Sequence, residues 1–93
     1  MSVDVKLNAA ASRFEAVVDG VLCVLDYDLR EGVMTITHTG VPETVGGRGI
    51  AGALATAAFD AARREHWRVV PACSYVDAWI KRHPEYADLV NSA

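Results

Sequence analysis

Val41-Pro-Glu-Thr-Val-Gly-Gly-Arg-Gly-Ile-Ala-Gly52 is the stretch of this sequence that decides the fold. It lies between a predicted β-strand, Val33 to Thr39, and an alanine-rich run, Ile50 to Arg64, that has helical spacing. A glycine-rich turn from a strand into a helix presents bare backbone N–H groups to an anion, at the positive end of the helix dipole. The segment therefore predicts a binding site for a phosphorylated ligand.

Four consecutive antiparallel strands are predicted before this turn, because apolar and polar residues alternate there with a period of two. The predicted strands are Val3 to Leu7, Phe14 to Val18, Val21 to Tyr27 and Val33 to Thr39. Asp19-Gly20 is a strong signal for a two-residue hairpin turn, and Asp28 to Gly32 is interpreted as a second hairpin loop. The fourth strand is expected to place Met34, Ile36 and His38 on one face.

Two helices and one strand are predicted after the turn. The first helix, Ile50 to Arg64, is followed by a short apolar strand, Arg68 to Ala72, which Pro71 ends or confines to the edge of the sheet. Ser74 and Asp77 resemble a capping box that opens the last helix. The order is ββββ-α-β-α, which predicts one α+β domain over residues 1–93, with a mainly antiparallel sheet and two helices.

Composition excludes several classes of function. The chain has 93 residues, of which 52% are hydrophobic, so we expect it to be globular. Its net charge of −3 gives no overall positive charge that would attract nucleic acid. No apolar run is long enough to span a membrane, and the amino terminus lacks signal-peptide features, so we expect a cytoplasmic protein. Its cysteines and histidines are scattered singly, which predicts free thiols and no metal site. They are Cys23, Cys73, His38, His66 and His83.

Two common phosphate-binding motifs fit the glycine turn poorly. The letters from Gly47 to Gly52 match the dinucleotide fingerprint G-x-G-x-x-G, but antiparallel strands precede them. The region where an acidic residue should hold a ribose, around Val69 and Val70, is apolar. A P-loop is excluded because no Lys-Ser or Lys-Thr follows the glycines.

The same segment resembles the pyrophosphate-binding signature Gln/Arg-x-x-Gly-x-Gly/Ala of the GNAT acetyltransferase superfamily. Aligned with it, the sequence runs Gly46-Gly-Arg-Gly-Ile-Ala51, with Gly46 in the lead position. Together with Val70-Pro-Ala-Cys-Ser-Tyr-Val76 and His83-Pro-Glu-Tyr86, nearly the whole chain resembles the stand-alone minimal GNAT proteins, the YjdJ-like and NATD-type acetyltransferases.

This resemblance implies a GNAT-like domain that binds acetyl-CoA. The diphosphate of the coenzyme would rest on the backbone N–H groups of the glycine turn, and the pantetheine arm would follow the end of the fourth strand. Tyr75 would contact the coenzyme or the acceptor, although an aromatic residue beside a helix cap could equally serve packing. The residues expected to contact the coenzyme are therefore Thr39, Gly40, Val41, Gly46, Gly47, Arg48, Gly49, Ile50, Ala51 and Tyr75.

Two residues are candidates for the chemistry of acetyl transfer. An alkylamine with a pKa of about 10.4 must lose a proton before it attacks a thioester, and His38, with an ordinary pKa of about 6.5, is the better candidate base beside Glu43. His38 could equally be a structural residue, and Glu43 a turn residue. Cys73, at a predicted helix start, could be a nucleophile, a proton donor to the departing coenzyme, or part of the pocket wall. Cys23 is expected in the core.

The sequence therefore predicts an N-acetyltransferase that transfers acetyl from acetyl-CoA to an unidentified amine, by direct attack within a ternary complex. The amine could belong to a small molecule or to a protein. One alternative is a coenzyme A-binding or protein-interaction module with little or no turnover. Another is a structural domain in which the glycines only make a tight turn.

Overall fold

A computed structural model describes residues 3–90, which form five strands and three α-helices. The strands are β1 (Lys6–Asn8), β2 (Arg13–Val18), β3 (Val21–Arg30), β4 (Val33–Gly40) and β5 (Arg68–Pro71). The helices are α1 (Ile50–Glu65), α2 (Ser74–Lys81) and α3 (Ala87–Val90), and single 3-10 turns lie at Ala9–Ala11, Glu43–Val45 and Pro84–Tyr86. The predicted α+β order is confirmed, and the short helix α3 is an addition to the two predicted helices.

The five strands form one sheet in the order β1-β2-β3-β4-β5. β1 to β4 are antiparallel, whereas β5 runs parallel to β4 because the intervening helix α1 carries the chain back across the sheet. Helices α1 and α2 pack on one face, where Leu25 and Ile36 are fully buried. The other face carries exposed Val17, Leu22 and Val70. No helix within residues 3–90 has the length and apolar character needed to cross a membrane.

The β2–β3 and β3–β4 hairpins use two-residue turns. Asp19 and Gly20 have φ of 51° and 75°, and Glu31 and Gly32 have φ of 51° and 77°. Positive φ at both central residues matches the right-handed twist of the flanking strands. The Asp19-Gly20 turn is confirmed. The prediction of a loop over 28–32 is wrong, because a two-residue turn suffices and residues 28–30 continue β3 in register with β4.

A β-bulge in β4 changes which residues face the helices. Ile36 pairs with Tyr27 and His38 pairs with Asp26, so Thr37 is an extra residue on β4. The side-chain alternation reverses past this point, and Thr39 rather than His38 follows Ile36 on the covered face. The prediction that His38 shares a face with Met34 and Ile36 is therefore wrong, and His38 is exposed.

Helix α2 is fastened to the end of the sheet through its N-cap. The cap is Cys73, whose backbone N–H donates to the carbonyl oxygen of Ile36 at 3.0 Å. Ser74 is already helical, so the prediction that Ser74 and Asp77 form a capping box is wrong. The hydrogen bond from Cys73 to β4 fixes the position of the residue that precedes the first turn of α2. It therefore determines where this helix begins.

The last turns of the chain are held against α1 by aromatic and charged contacts. The ring of Phe59 lies 5.3 Å from that of Trp79 and 5.5 Å from that of Tyr86, measured between centroids. The Tyr86 hydroxyl donates to Asp60 Oδ1 at 2.6 Å, which raises the pKa of Tyr86 to about 12. Arg63 donates to both carboxylate oxygens of Asp88. These contacts fix α2 and α3 relative to α1.

Candidate active site

The sheet opens between β4 and β5. The two strands pair only as far as Ile36 and Pro71, after which β4 continues to Gly40 without a partner on that side within residues 3–90. Thr39 and Cys73 meet at this opening, with 3.5 Å between Thr39 Oγ1 and Cys73 Sγ. A narrow extended ligand could therefore lie along the free edge of β4, beside the start of α2.

A row of unpaired backbone N–H groups lies at the start of α1. The Gly46 N–H donates to the carbonyl oxygen of Glu43, and the next backbone donor with an acceptor is Ala53, which donates to Gly49. The N–H groups of residues 47–52 in between have no acceptor within residues 3–90. Such a row at the positive end of a 16-residue helix is well suited to bind a phosphate group.

Two glycines give this row its shape. Gly47 and Gly49 have φ of 79° and 74°, which is left-handed backbone that side chains rarely adopt. A Cβ at either position would meet nothing within 4 Å, so the space beside them is open. The guanidinium of Arg48, the basic residue within the turn, donates to Asp19 Oδ2 at 2.6 Å. The backbone, rather than the Arg48 side chain, is therefore the main candidate to hold an anion.

The environment of Cys73 favours a thiolate. Partial burial raises the pKa of this thiol, but hydrogen bonds from the Thr39 side chain and from the backbone N–H groups of Val76 and Tyr75 outweigh it. The net shift of the pKa is downward. Cys73 is partly exposed, whereas Cys23 is fully buried, so reagents can reach only the first of these two thiols in the folded protein.

Replacing Thr39 with valine is expected to raise the pKa of Cys73, because the Thr39 side chain contributes the largest of the lowering interactions. Only the thiolate is alkylated, so the rate of reaction with iodoacetamide should rise at higher pH in Thr39→Val than in the wild type. At neutral pH the variant should react more slowly. Thr37→Val on the exposed side of the same strand is the control, and equal pH profiles for Thr39→Val and the wild type would contradict this account.

The structure brings most of the predicted site residues to one end of the sheet, with His38 as the exception. Gly40 and Val41 follow Thr39 at the opening, and Tyr75 lies in the first turn of α2. His38 lies on the uncovered face of the sheet, beside Gly40, where a Cβ would be 3.0 Å from its Nε2. His38 and Cys73 are therefore on different sides of β4.

The sequence reasoning did not identify Gly52 and Trp79 as parts of the site. Gly52 is the third residue of α1, and a Cβ on it would lie 3.7 Å from Trp79 Nε1 and 3.8 Å from the Tyr75 hydroxyl. A glycine inside a helix costs about 1 kcal/mol relative to alanine, which is a signal that something else requires it. Packing against α2 is not that requirement, because a Cβ here would stand at ordinary contact distance from both atoms.

A cavity of about 310 Å³ shares Pro71 with the edge of this opening. Its walls are Pro71, Asp77, Ile80, Lys81, Pro84, Ala87 and Val90. It contains none of the predicted site residues, and the Asp77–Lys81 ion pair forms part of its wall. The unpaired donors and the reactive thiol mark the opening beside β4, not this cavity, as the candidate active site.

The mainly antiparallel sheet, with a glycine turn that leads from the fourth strand into a helix, is the GNAT-like architecture expected from the sequence. The family model described as GCN5-related N-acetyl-transferase matches residues 13–89. The chain therefore belongs to the GCN5-related N-acetyltransferase family.

A solved structure supports the same fold. The chain is similar to the NMR solution structure of a GCN5-like candidate N-acetyltransferase from Staphylococcus aureus, with a TM-score of 0.76 and 22% sequence identity. The match covers 97% of this chain and 89% of that chain. The predicted GNAT-like fold is thereby confirmed.

Proposed function

We propose that this protein binds acetyl-CoA and transfers its acetyl group to an amine. The single observation that carries the proposal is the row of unpaired N–H groups over residues 47–52, beside an opening that contains Thr39 and Cys73. Membership of the N-acetyltransferase family supports the same reaction. The acceptor amine belongs to a small molecule or to a protein.

The glycine turn would bind the diphosphate of the coenzyme. Several N–H groups that point at one anion, at a helix N-terminus, stabilise negative charge without a basic side chain. This suits a sequence in which Gly46 replaces the glutamine or arginine of the family signature and Arg48 is paired with Asp19. The residues present therefore fit a diphosphate.

The free edge of β4 would hold the thioester arm. Backbone N–H groups near Thr39 to Val41 would polarise the thioester carbonyl, and the amine nitrogen would attack its carbon directly. The new C–N bond forms as the C–S bond breaks, and the coenzyme leaves as a thiolate that takes up a proton. Cys73 lines this part of the pocket, where its thiol can supply that proton or accept the acetyl group itself.

The position of His38 favours a second candidate function, which is coenzyme A binding with little turnover. His38 was the predicted base, but it lies on the sheet face opposite Cys73. If His38 accepts the proton of the amine, it must do so around the edge of β4, through water. Without another base, the domain would bind the coenzyme and transfer acetyl slowly.

Two measurements with acetyl-CoA test these functions. Titration calorimetry should show saturable binding, and a panel of amines with labelled acetyl-CoA should show transfer to at least one acceptor. Binding without transfer to any amine supports the coenzyme-binding module, whereas no binding overturns both functions.

Cys73→Ala tests the covalent route. In direct attack, this variant keeps acetyl-CoA affinity and loses no more than about 100-fold in rate, which is the lower end of the usual contribution of one general acid. Intact mass spectrometry of the wild-type protein incubated with acetyl-CoA alone should then show no acetylated Cys73. An acetylated Cys73 that passes its label to an amine would contradict direct attack. Cys23→Ala, in the buried core, is the control for the loss of a thiol.

A further inference from the structure

Trp79 is almost entirely buried, yet its polar atom has no partner. The residue is 3% exposed, and its indole N–H donates to no acceptor within residues 3–90. No fully buried side-chain nitrogen or oxygen lacks a partner in this part of the chain, so the indole N–H must open onto the surface. An unpaired donor at the surface of an otherwise buried ring is held in a fixed position and is available to a bound acceptor.

The indole N–H opens onto the start of α1. A Cβ on Gly52 would lie 3.7 Å from Trp79 Nε1, so the missing side chain leaves a notch directly beside this donor. Gly52 also carries one of the unpaired backbone N–H groups in the row over 47–52. Gly52 therefore belongs both to the notch and to the row.

A third donor reaches the same place. The Tyr75 hydroxyl would lie 3.8 Å from a Cβ on Gly52, and it makes no hydrogen bond to another residue of the described chain. Burial raises the pKa of Tyr75, so the hydroxyl stays protonated and can donate at neutral pH. Two side-chain donors from α2 and one backbone donor from α1 thus lie close to Gly52.

We propose that the notch formed by Gly52, Tyr75 and Trp79 receives a hydrogen-bond acceptor oxygen of the bound coenzyme and so sets the affinity for it. This inference rests on the proposed function. An acceptor oxygen suits all three groups, because the indole and backbone N–H groups can only donate and the Tyr75 hydroxyl can also donate. Two parts of the coenzyme carry such oxygens next to the diphosphate site, the phosphoryl groups and the nearest pantetheine amide.

Two substitutions test the notch, one on α1 and one on α2. Gly52→Ala fills it, and because alanine is the better helix former, the variant should unfold at a higher temperature than the wild type. Trp79→Phe removes the donor and keeps an aromatic ring. Each should weaken coenzyme A binding by about tenfold or more, as expected for the loss of one hydrogen bond to a charged or strongly polar acceptor.

Matched controls distinguish an effect of the notch on coenzyme A binding from an effect of the substitutions on stability. Thr56→Ala improves helix propensity at an exposed position of α1, and Trp67→Phe makes the same ring change outside the notch. Both should bind coenzyme A as the wild type does. Measuring the binding of ADP and pantetheine alongside that of coenzyme A identifies the acceptor oxygen. Gly52→Ala should weaken the binding of ADP if the oxygen belongs to a phosphoryl group. It should weaken the binding of pantetheine if the oxygen belongs to the amide.

The indole N–H resonances provide a readout that does not depend on folding of the variants. Coenzyme A should shift the Trp79 indole N–H signal of the wild-type protein and leave that of Trp67 near its free position. If coenzyme A binds but the Trp79 signal does not move and Gly52→Ala keeps its affinity, the notch is refuted while the proposed function stands. If coenzyme A does not bind at all, the proposed function fails and this inference fails with it.

Discussion

Gly49→Asp is expected to weaken coenzyme A binding by at least about a hundredfold, which corresponds to about 2.7 kcal/mol. Gly49 is the N-cap of α1, in the middle of the unpaired N–H row. A carboxylate at this position would lie where the diphosphate is expected, so like charges would repel at close range. The new oxygens would also compete for the free N–H groups.

The same change should leave the fold intact. A Cβ at Gly49 meets nothing within 4 Å, and aspartate tolerates the left-handed φ of 74° better than most residues. A negative charge at a helix N-terminus is also favourable. We expect the free energy of unfolding to change by no more than about 1 kcal/mol, because these small effects partly cancel.

Gly32→Asp is the matched control for this experiment. Gly32 has φ of 77° and open space around it, but it lies at the opposite end of β4 from the candidate site. It should bind coenzyme A as the wild type does. Titration calorimetry measures the affinity of both variants for coenzyme A. A Gly49→Asp variant with wild-type affinity would rule out the glycine turn as the binding site.

Phe59→Ala is expected to cost about 3–5 kcal/mol of unfolding free energy, the range found when a buried aromatic ring is removed. Phe59 is 0% exposed, and its ring lies against both Trp79 and Tyr86. Small domains have only about 5–15 kcal/mol of stability in total, so the variant should be partly unfolded or nearly so. The loss should also loosen α2, which carries the notch.

Chemical denaturation followed by circular dichroism measures this cost. Leu22→Ala is the control, because Leu22 is 47% exposed on the uncovered face and should cost less than about 1 kcal/mol. A cost for Phe59→Ala as small as that of the control would mean that α1 and α2 do not pack as described.

Local sequence patterns were sufficient for most of the fold. Three features depend only on residues that are close together in the sequence, so the sequence predicts them directly. They are the alternation in β2, the Asp19-Gly20 turn and the small residues along α1. The bulge at Thr37 could not be predicted, because it arises from how β4 pairs with β3. That single residue moved His38 to the other face and put Thr39 beside Cys73.

Only part of the candidate site could be predicted, again because some of its features are local in the sequence and others depend on packing. The glycine turn is a local feature, and the structure shows its N–H groups unpaired as the pattern indicates. The contact of Gly52 with Trp79 depends on how α1 packs against α2, which no short motif encodes. The cap at Cys73 likewise depends on a bond to β4 rather than on the residues that follow it.

The central claim is that backbone N–H groups over residues 47–52 bind the diphosphate of coenzyme A. Titration of the isotope-labelled protein with coenzyme A, followed by amide NMR, tests it most directly. We expect the largest shifts at these amides and small ones at the far hairpin around Glu31 and Gly32. Saturating coenzyme A that leaves the amides of 47–52 unmoved would contradict the account.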